Sequence, residues 1–139
     1  MSNYNVVEPA GQVRVLVIDD SNTIRRSAEI FLRQGGHEVL LAEDGFDALS
    51  KVNDHNPDLI FCDILMPRLD GYQTCAIIKR NPKFSGVPVV MLSSKDGLFD
   101  KARGRMVGSQ DYLTKPFTKD QLLQAVEQHR RGGIGEPAE

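Results

Sequence analysis

Five positions that could carry chemistry stand where apolar stretches of the chain end. They provide three carboxylates, a serine hydroxyl and an amine: Asp19, Asp20, Asp63, Ser93 (followed by Ser94) and Lys115. Carboxylates that lie close together raise one another's pKa unless a cation joins them. Oxygen-only ligands suit a hard ion such as Mg²⁺, which takes one or two carboxylates together with waters and phosphate oxygens. If these side chains meet in space, they predict a Mg²⁺ site.

A bound Mg²⁺ would reverse the sign of the local charge and attract a phosphoryl group. One carboxylate could then act as a nucleophile and form an aspartyl phosphate. Lys115 and a serine hydroxyl would remain to stabilise the phosphoryl oxygens. The first apolar stretch is not followed by GxGxxG, so a dinucleotide site is not expected there.

Each of these residues also has an ordinary structural explanation. The pair Asp19-Asp20 could cap a helix, and Asp63 could cap a turn. The pair Ser93-Ser94 could begin a helix, and Lys115 before Pro116 could be a solvated lysine. These explanations leave unexplained why all of the residues fall at equivalent points of a repeating pattern.

The pattern is an alternation of short apolar runs with helical periodicity. Strands are predicted at Val13–Ile18, Val39–Ala42, Leu59–Cys62, Val87–Leu92 and Asp111–Leu113. Helices are predicted around Ile24–Leu32, Phe46–Val52, Tyr72–Lys79, the repeat Leu98/Ala102/Met106, and after a capping box at Thr118–Gln121. Five βα units predict an α/β fold, a doubly wound five-stranded parallel sheet of order 2-1-3-4-5. Sites in such sheets form at the carboxyl ends of the strands, which brings the five positions to one edge.

Length and charge narrow the class of protein. The 139 residues predict one domain over 12–131, with flexible tails at 1–11 and 132–139. The net charge of −2 argues against nucleic-acid binding, and no apolar run is long enough to span a membrane. No secretory signal is evident, and Cys62 and Cys75 are expected to be reduced thiols, so we expect a cytoplasmic protein.

Four motifs carry a family resemblance. VLVIDDS, FCDILMPRLDG, VVMLSS and YLTKPF, in this order, resemble the receiver domain of bacterial two-component response regulators, the CheY-like fold. The resemblance covers about residues 13–130. DGFDALSKV, MPRLDGYQTC and SSKDGLFDKARGRMVGS are similar, more narrowly, to the single-domain PilG-type receivers of type IV pilus (twitching motility) chemosensory systems.

The resemblance implies a role for each acidic residue. Asp63 would be the phosphoacceptor, Asp20 would ligate Mg²⁺ directly, and Asp19 would act mainly through water. The backbone carbonyl of Leu65 would be the third protein ligand to the Mg²⁺ cofactor.

The resemblance also implies the switch residues. Ser93 would move toward the phosphoryl group, Lys115 would pair with its oxygens, and the Lys115–Pro116 peptide would be cis. Tyr112 would turn inward on activation. Leu65 and Lys95 depart from the polar and acidic residues of well-known flagellar receivers, so these two positions are expected to tune the lifetime of the phosphoryl group. Cys62 should point to the opposite side of its strand, into the core.

The implied function is that of a stand-alone phosphoacceptor signalling protein, which catalyses only its own Mg²⁺-dependent phosphorylation and dephosphorylation. A CheA-like histidine kinase would be the phosphodonor. A downstream protein would bind the fourth helix, fifth strand and last helix. Arg103, Arg105 and Met106 are candidates for that surface, unless they are a solvated basic face and a core methionine.

Other functions stay open at this point. The protein could be a phosphate sink or relay, or a receiver of the flagellar-chemotaxis type. An Asp-nucleophile phosphatase would need a second acid where Leu65 stands. An FMN carrier would need a hydroxyl-rich phosphate loop where Asp19-Asp20 stands. A receiver that is no longer phosphorylated would not need the intact Asp19, Asp20, Asp63, Ser93 and Lys115.

Overall fold

The computed structural model describes residues 11–94 and 100–130. Strands and helices alternate along them, as the two periodicities predict. The strands are β1 (Arg14–Ile18), β2 (Glu38–Ala42), β3 (Leu59–Asp63), β4 (Val89–Ser94) and β5 (Asp111–Lys115). The helices are α1 (Asn22–Gln34), α2 (Gly45–His55), α3 (Gly71–Arg80), α4 (Lys101–Val107) and α5 (Lys119–His129).

The strands form one parallel sheet in the order β2-β1-β3-β4-β5, which confirms the predicted fold class. Every residue of the central strand β3 is buried. This burial explains its unbroken apolar sequence, because a strand covered on both faces shows no alternation. The order of the strands reverses between β1 and β3, which puts the switch point of the sheet beside Asp63.

Helices cover both faces of the sheet. On one face, α2 and α3 pack over side chains such as Leu16, Ile18 and Met91. On the other face, α1 and α5 pack over Val15 and Phe61. Two separate apolar layers thus hold the sheet from both sides. Cys62 and Cys75 are buried in the first layer as free thiols, and the prediction that Cys62 is a core residue is confirmed.

Capping residues decide where the helices begin. Ser21 is the N-cap of α1, since its side chain accepts a hydrogen bond from the backbone N–H of Ile24. The alternative in which Asp19-Asp20 caps this helix is therefore wrong. The capping box predicted at Thr118–Gln121 is present at the start of α5, and Asp70, not Asp63, caps α3.

Several element boundaries differ from the prediction, most clearly those of β4, β5 and α4. β4 begins at Val89 instead of Val87, because the N–H of Val87 closes a turn with the carbonyl of Phe84 and Pro88 has no N–H. β4 also continues beyond the predicted end at Leu92, so Ser93 and Ser94 are its last residues and do not begin a helix. β5 continues to Lys115, and α4 begins at Lys101 with Asp100 as its N-cap.

Some predictions fall on residues outside the described part of the chain. Leu98 and Lys95 belong to the segment 95–99, and the predicted tails fall almost entirely within 1–10 and 131–139. The domain boundaries at 12 and 131 therefore stay predictions. Within the described residues, every helix is too short or too polar to cross a lipid bilayer.

Candidate functional site

The site is centred on Asp63, the last residue of β3, whose exposed fraction is 3%. Its Oδ1 accepts a hydrogen bond from Nζ of Lys115 over 3.0 Å. The same Nζ donates to Oδ2 of Asp19 over 3.0 Å. One ammonium at the end of β5 therefore joins the carboxylates that follow β1 and β3.

Asp19 is held firmly behind this pair. It is fully buried, and its Oδ1 accepts the backbone N–H of Ser21 at 2.8 Å. Nη1 of Arg25 donates to the carbonyl oxygen of Asp19 over 2.6 Å. The neighbouring Asp20 is exposed, so the two adjacent acids differ in access to solvent.

The three aspartates are close enough to bind one metal ion. Asp19, Asp20 and Asp63 each offer a carboxylate oxygen, and these oxygens all lie within 4.8 Å of one another. The donors are all hard oxygens, and three carboxylates face a single ammonium. This donor set fits a small divalent cation that prefers oxygen ligands.

The crowding of charge is visible in the pKa of Asp63. Burial of the carboxyl raises this pKa first, and the charge of Asp19 raises it further. The hydrogen bond and charge of Lys115 oppose these effects, and the pKa is left at about 7. The carboxyl is thus poised between its neutral and charged forms near neutral pH.

Lys115 shows the complementary effect. Burial alone would lower the pKa of its amine, but the hydrogen bond with Asp63 and the charge of Asp19 outweigh burial and raise it. Lys115 is therefore a cation at neutral pH. The peptide that joins it to Pro116 is cis.

Ser93 completes the wall of the site. Its side chain is buried, and its Oγ donates to the carbonyl oxygen of Ser94 over 3.2 Å. A small cavity of about 120 Å³ opens between Ser93, Asp63, Lys115 and the 56%-exposed Leu65. The hydroxyl is thus beside the cavity while bonded to its own strand. The cavity is large enough for a phosphoryl group.

Tyr112 lies away from this cavity, on β5. Its exposed fraction is 37%, and the ammonium of Lys101 lies 5.5 Å from its ring centroid. Arg105 and Tyr112 line the same surface pocket. Met106 is 85% exposed, so the alternative that makes it a core methionine is wrong.

Sequence reasoning missed two residues that shape the site. A Cβ at Gly71, the first residue of α3, would overlap the backbone of Asp63 and Ile64, so α3 packs directly against the end of β3. The second residue is Arg25, whose guanidinium donates a hydrogen bond to the backbone carbonyl of Asp19. The glycine stands within the quoted motif MPRLDG, but only the three-dimensional contact explains why a side chain is excluded there.

Comparisons with known proteins agree with this geometry. The pattern described as "Response regulator receiver domain" matches residues 15–127. Protein PilG of Pseudomonas aeruginosa is 63% identical over 117 residues, which are 84% of this chain and 87% of PilG. Protein PilH of the same organism is 36% identical over 113 residues, 81% of this chain and 93% of PilH.

Among solved structures, the chemotaxis protein CheY4 of Vibrio cholerae superimposes with a TM-score of 0.81 at 30% identity, covering 86% of this chain and 99% of that chain. The matched range 15–127 includes all three clustered aspartates, Ser93 and Lys115. The match extends over most of the chain, and the fold and strand order agree with it. This chain belongs to the response regulator receiver domain family, a family of signalling proteins.

Proposed function

We propose that this protein accepts a phosphoryl group on Asp63 from the phosphohistidine of a CheA-like histidine kinase. The observation that carries the proposal is the double hydrogen bond of Lys115 to Asp63 and Asp19, beside a cavity at the switch point of the sheet. A carboxylate held by one ammonium and flanked by two further acids is arranged for phosphoryl chemistry. A buried ion pair that served stability alone would not need an open cavity or a third, exposed acid.

In the proposed reaction, a carboxylate oxygen of Asp63 attacks the phosphorus atom. The phosphorus–nitrogen bond to the imidazole breaks, and the imidazole leaves with the electron pair and takes up a proton. Lys115 then has a phosphoryl oxygen as a partner in addition to Asp19, and it offsets the added negative charge. Ser93 lies within the same cavity, where rotation of its hydroxyl away from Ser94 gives the phosphoryl group a hydrogen-bond donor.

We assign Mg²⁺ as the cofactor: Asp20 and Asp63 would hold it directly, Asp19 would hold it mainly through water, and the carbonyl of Leu65 would be a further ligand. When bound, it supplies positive charge that draws a phosphoryl group into an otherwise acidic cavity. The same charge favours the ionised form of Asp63, the form that can act as a nucleophile. Leu65 lines this cavity; we propose that it and Lys95, which follow Asp63 and Ser93 by two positions in the sequence, tune the lifetime of the phosphoryl group.

The test is phosphoryl transfer from a radiolabelled CheA-like kinase or from acetyl phosphate. The wild type should gain one hydroxylamine-labile phosphoryl group in the presence of Mg²⁺. Asp63→Asn should gain none, while Asp54→Asn, which changes an exposed acid of α2, should label like the wild type. Labelling of Asp63→Asn at the wild-type rate would show that the acceptor is another residue.

We further propose that the protein acts in the cytoplasm in a type IV pilus chemosensory system, and that it controls twitching motility. The motif resemblance and the similarity to PilG support this assignment. Phosphorylation adds about −1.5 to −2 charges at the cavity, and inward rotation of Tyr112 would remodel the surface of α4, β5 and α5. A downstream protein then binds this surface, where Arg103, Arg105 and Met106 are exposed.

A complementation experiment tests the pilus assignment separately from the chemistry. A Pseudomonas aeruginosa strain without PilG should recover twitching when it expresses this chain, and Asp63→Asn should not restore the wild-type zone. Phosphoryl transfer in vitro combined with no recovery would leave the receiver chemistry intact and would contradict the pilus assignment.

A further inference from the structure

A groove runs between α3 and α4 on the side of α4 that faces away from β5. It consists of two adjoining recesses of about 300 and 410 Å³. Both recesses are lined by Ala76, Arg80 and Val107, so they form one continuous depression. We call this depression the α3–α4 groove.

The groove exposes several apolar side chains to solvent. Ile77 of α3 is 38% exposed and Met106 of α4 is 85% exposed. Leu69 and Val107 add apolar surface to the lining. Contiguous exposed apolar surface with a polar border is typical of a protein interaction site.

The border of the groove is basic. Arg80 and Arg103 lie along it, and its lining residues include neither aspartate nor glutamate. Among the described residues, no carboxylate lies within ion-pair distance of Arg80, and Arg103 is 3.8 Å from Asp70. This positive border stands out on a chain whose net charge is −2.

Arg103 is also held in place by its own contacts. Its guanidinium stacks over the ring of Tyr72, 4.2 Å from the centroid, and the Tyr72 hydroxyl accepts the backbone N–H of Asp100 over 2.8 Å. The border cation is therefore pre-organised, which reduces the entropy lost when a partner binds.

We propose that the α3–α4 groove binds an acidic amphipathic helix of a partner protein. The apolar side of that helix would pack on Ile77 and Met106, and its glutamates or aspartates would face Arg80 and Arg103. A groove between two helices is a common seat for a third helix, and opposite charge along its border selects the partner and its orientation. The α3–α4 groove adjoins the α4–β5–α5 surface proposed above and shares Arg103 and Met106 with it, whereas Arg105 and Tyr112 line a different pocket.

The test uses two stapled helical peptides of about 15 residues. They share one leucine stripe and carry either glutamates or lysines beside it. The full chain is titrated with each peptide, with fluorescence anisotropy for affinity and amide chemical shifts for position. The glutamate peptide should bind at least about tenfold more tightly than the lysine peptide, and its shifts should centre on α3 and α4.

Two variants locate the effect. Arg80→Glu should weaken the glutamate peptide about tenfold and strengthen the lysine peptide, a gain that a misfolded protein would not show. Arg26→Glu removes an exposed basic residue of α1 and should change neither affinity. The proposal is overturned if the glutamate peptide does not bind, if both peptides bind equally, or if the shifts centre on Tyr112 instead.

Discussion

Lys115 and Asp63 are 52 positions apart in the chain, yet Nζ of Lys115 lies 3.0 Å from Oδ1 of Asp63 at the ends of β5 and β3. The pair is almost enclosed, since the side chains of Lys115 and Asp63 are 17% and 5% exposed. Asp19, on the other side of Lys115, is fully buried. One ammonium therefore balances two enclosed carboxylates, and the structure depends on that balance.

Lys115→Met should destabilise the fold. Without the ammonium, two buried carboxylates face each other, and breaking a buried pair in this way costs about 3 kcal/mol. Urea unfolding at pH 8 should show this loss, and the loss should shrink at pH 5 as Asp63 becomes protonated. Lys119→Met, at an exposed position of α5, is the matched control. Equal losses for both variants would contradict the account.

Asp63→Asn should have the opposite effect on stability. The pKa of Asp63 rises from 3.8 to about 7 on folding. The stability that its neutral carboxyl contributes is therefore fully present below pH 3.8 and is lost as the pH rises through 7. The charged carboxylate is therefore unfavourable at pH 8. Replacing it with a neutral amide should raise the free energy of unfolding at pH 8 by about 4 kcal/mol.

The gain from Asp63→Asn should shrink at pH 5, where the folded wild-type carboxyl is neutral although the unfolded one is still ionised. Unfolding curves of wild type and variant at both pH values measure this difference, without any kinase or metal present. If the gain in stability were the same at pH 5 and pH 8, its cause would be packing and not charge.

Mg²⁺ should stabilise the wild type and its removal should reverse the effect. A ligand that binds only the folded state adds about 2.7 kcal/mol at 100 times its Kd. Differential scanning fluorimetry should show a saturable rise of Tm with MgCl₂ that EDTA abolishes. Asp20→Asn should lose the saturation, whereas Asp54→Asn should keep it. A wild-type response in Asp20→Asn would exclude Asp20 as a ligand.

The fold and the centre of the site could be predicted from the sequence because both follow from strong local patterns. Leu59–Cys62 is continuously apolar, and polar residues mark the end of each strand. Parallel connectivity then places Asp19, Asp63 and Lys115 at one edge, wherever the strands begin. Errors of two residues, such as the start of β4, leave the carboxyl ends of the strands almost unchanged.

Features that depend on contacts between distant side chains could not be predicted in this way. The hydrogen bond from Asp100 to Tyr72 and the stacking of Arg103 on that ring have no periodic signal. The exposure of Met106 could not be predicted either, because a methionine at helical spacing is equally consistent with a core position. The raised pKa of Asp63 depends on distances of a few ångströms, which spacing along the chain does not determine.

His37 should make stability depend on pH. Its exposed fraction is 7%, and its Nδ1 accepts the N–H of Val13, which favours the neutral ring. Burial lowers the pKa of His37 below 6.5, an effect that Glu127 opposes and Arg130 reinforces. The unfolded chain therefore binds the proton first, and the contribution of His37 to stability is lost as the pH falls through 6.5 toward the folded pKa.

The measurement is urea unfolding between pH 7.5 and pH 5 for the wild type, His37→Gln and His55→Gln. The stability of His37→Gln relative to the wild type should rise as the pH falls, because the variant no longer loses the His37 contribution while Asp63 titrates alike in both proteins. His55 is exposed at the end of α2, so His55→Gln should follow the wild-type profile. If His55→Gln flattened the profile instead, the pH dependence would belong to the exposed histidine.

Gly71→Ala should destabilise the protein although alanine favours helices. Intrinsic propensity alone predicts a gain of up to about 1 kcal/mol in a helix. The added Cβ would overlap the backbone of Asp63 and Ile64, which cannot move aside as a flexible side chain could, so we expect a loss of about 2 kcal/mol. Thermal unfolding of this variant beside Gly11→Ala, where the Cβ meets nothing within 4 Å, measures the difference. A stabilised Gly71→Ala protein would mean that α3 can shift away from β3, and that the close packing behind Asp63 is not required.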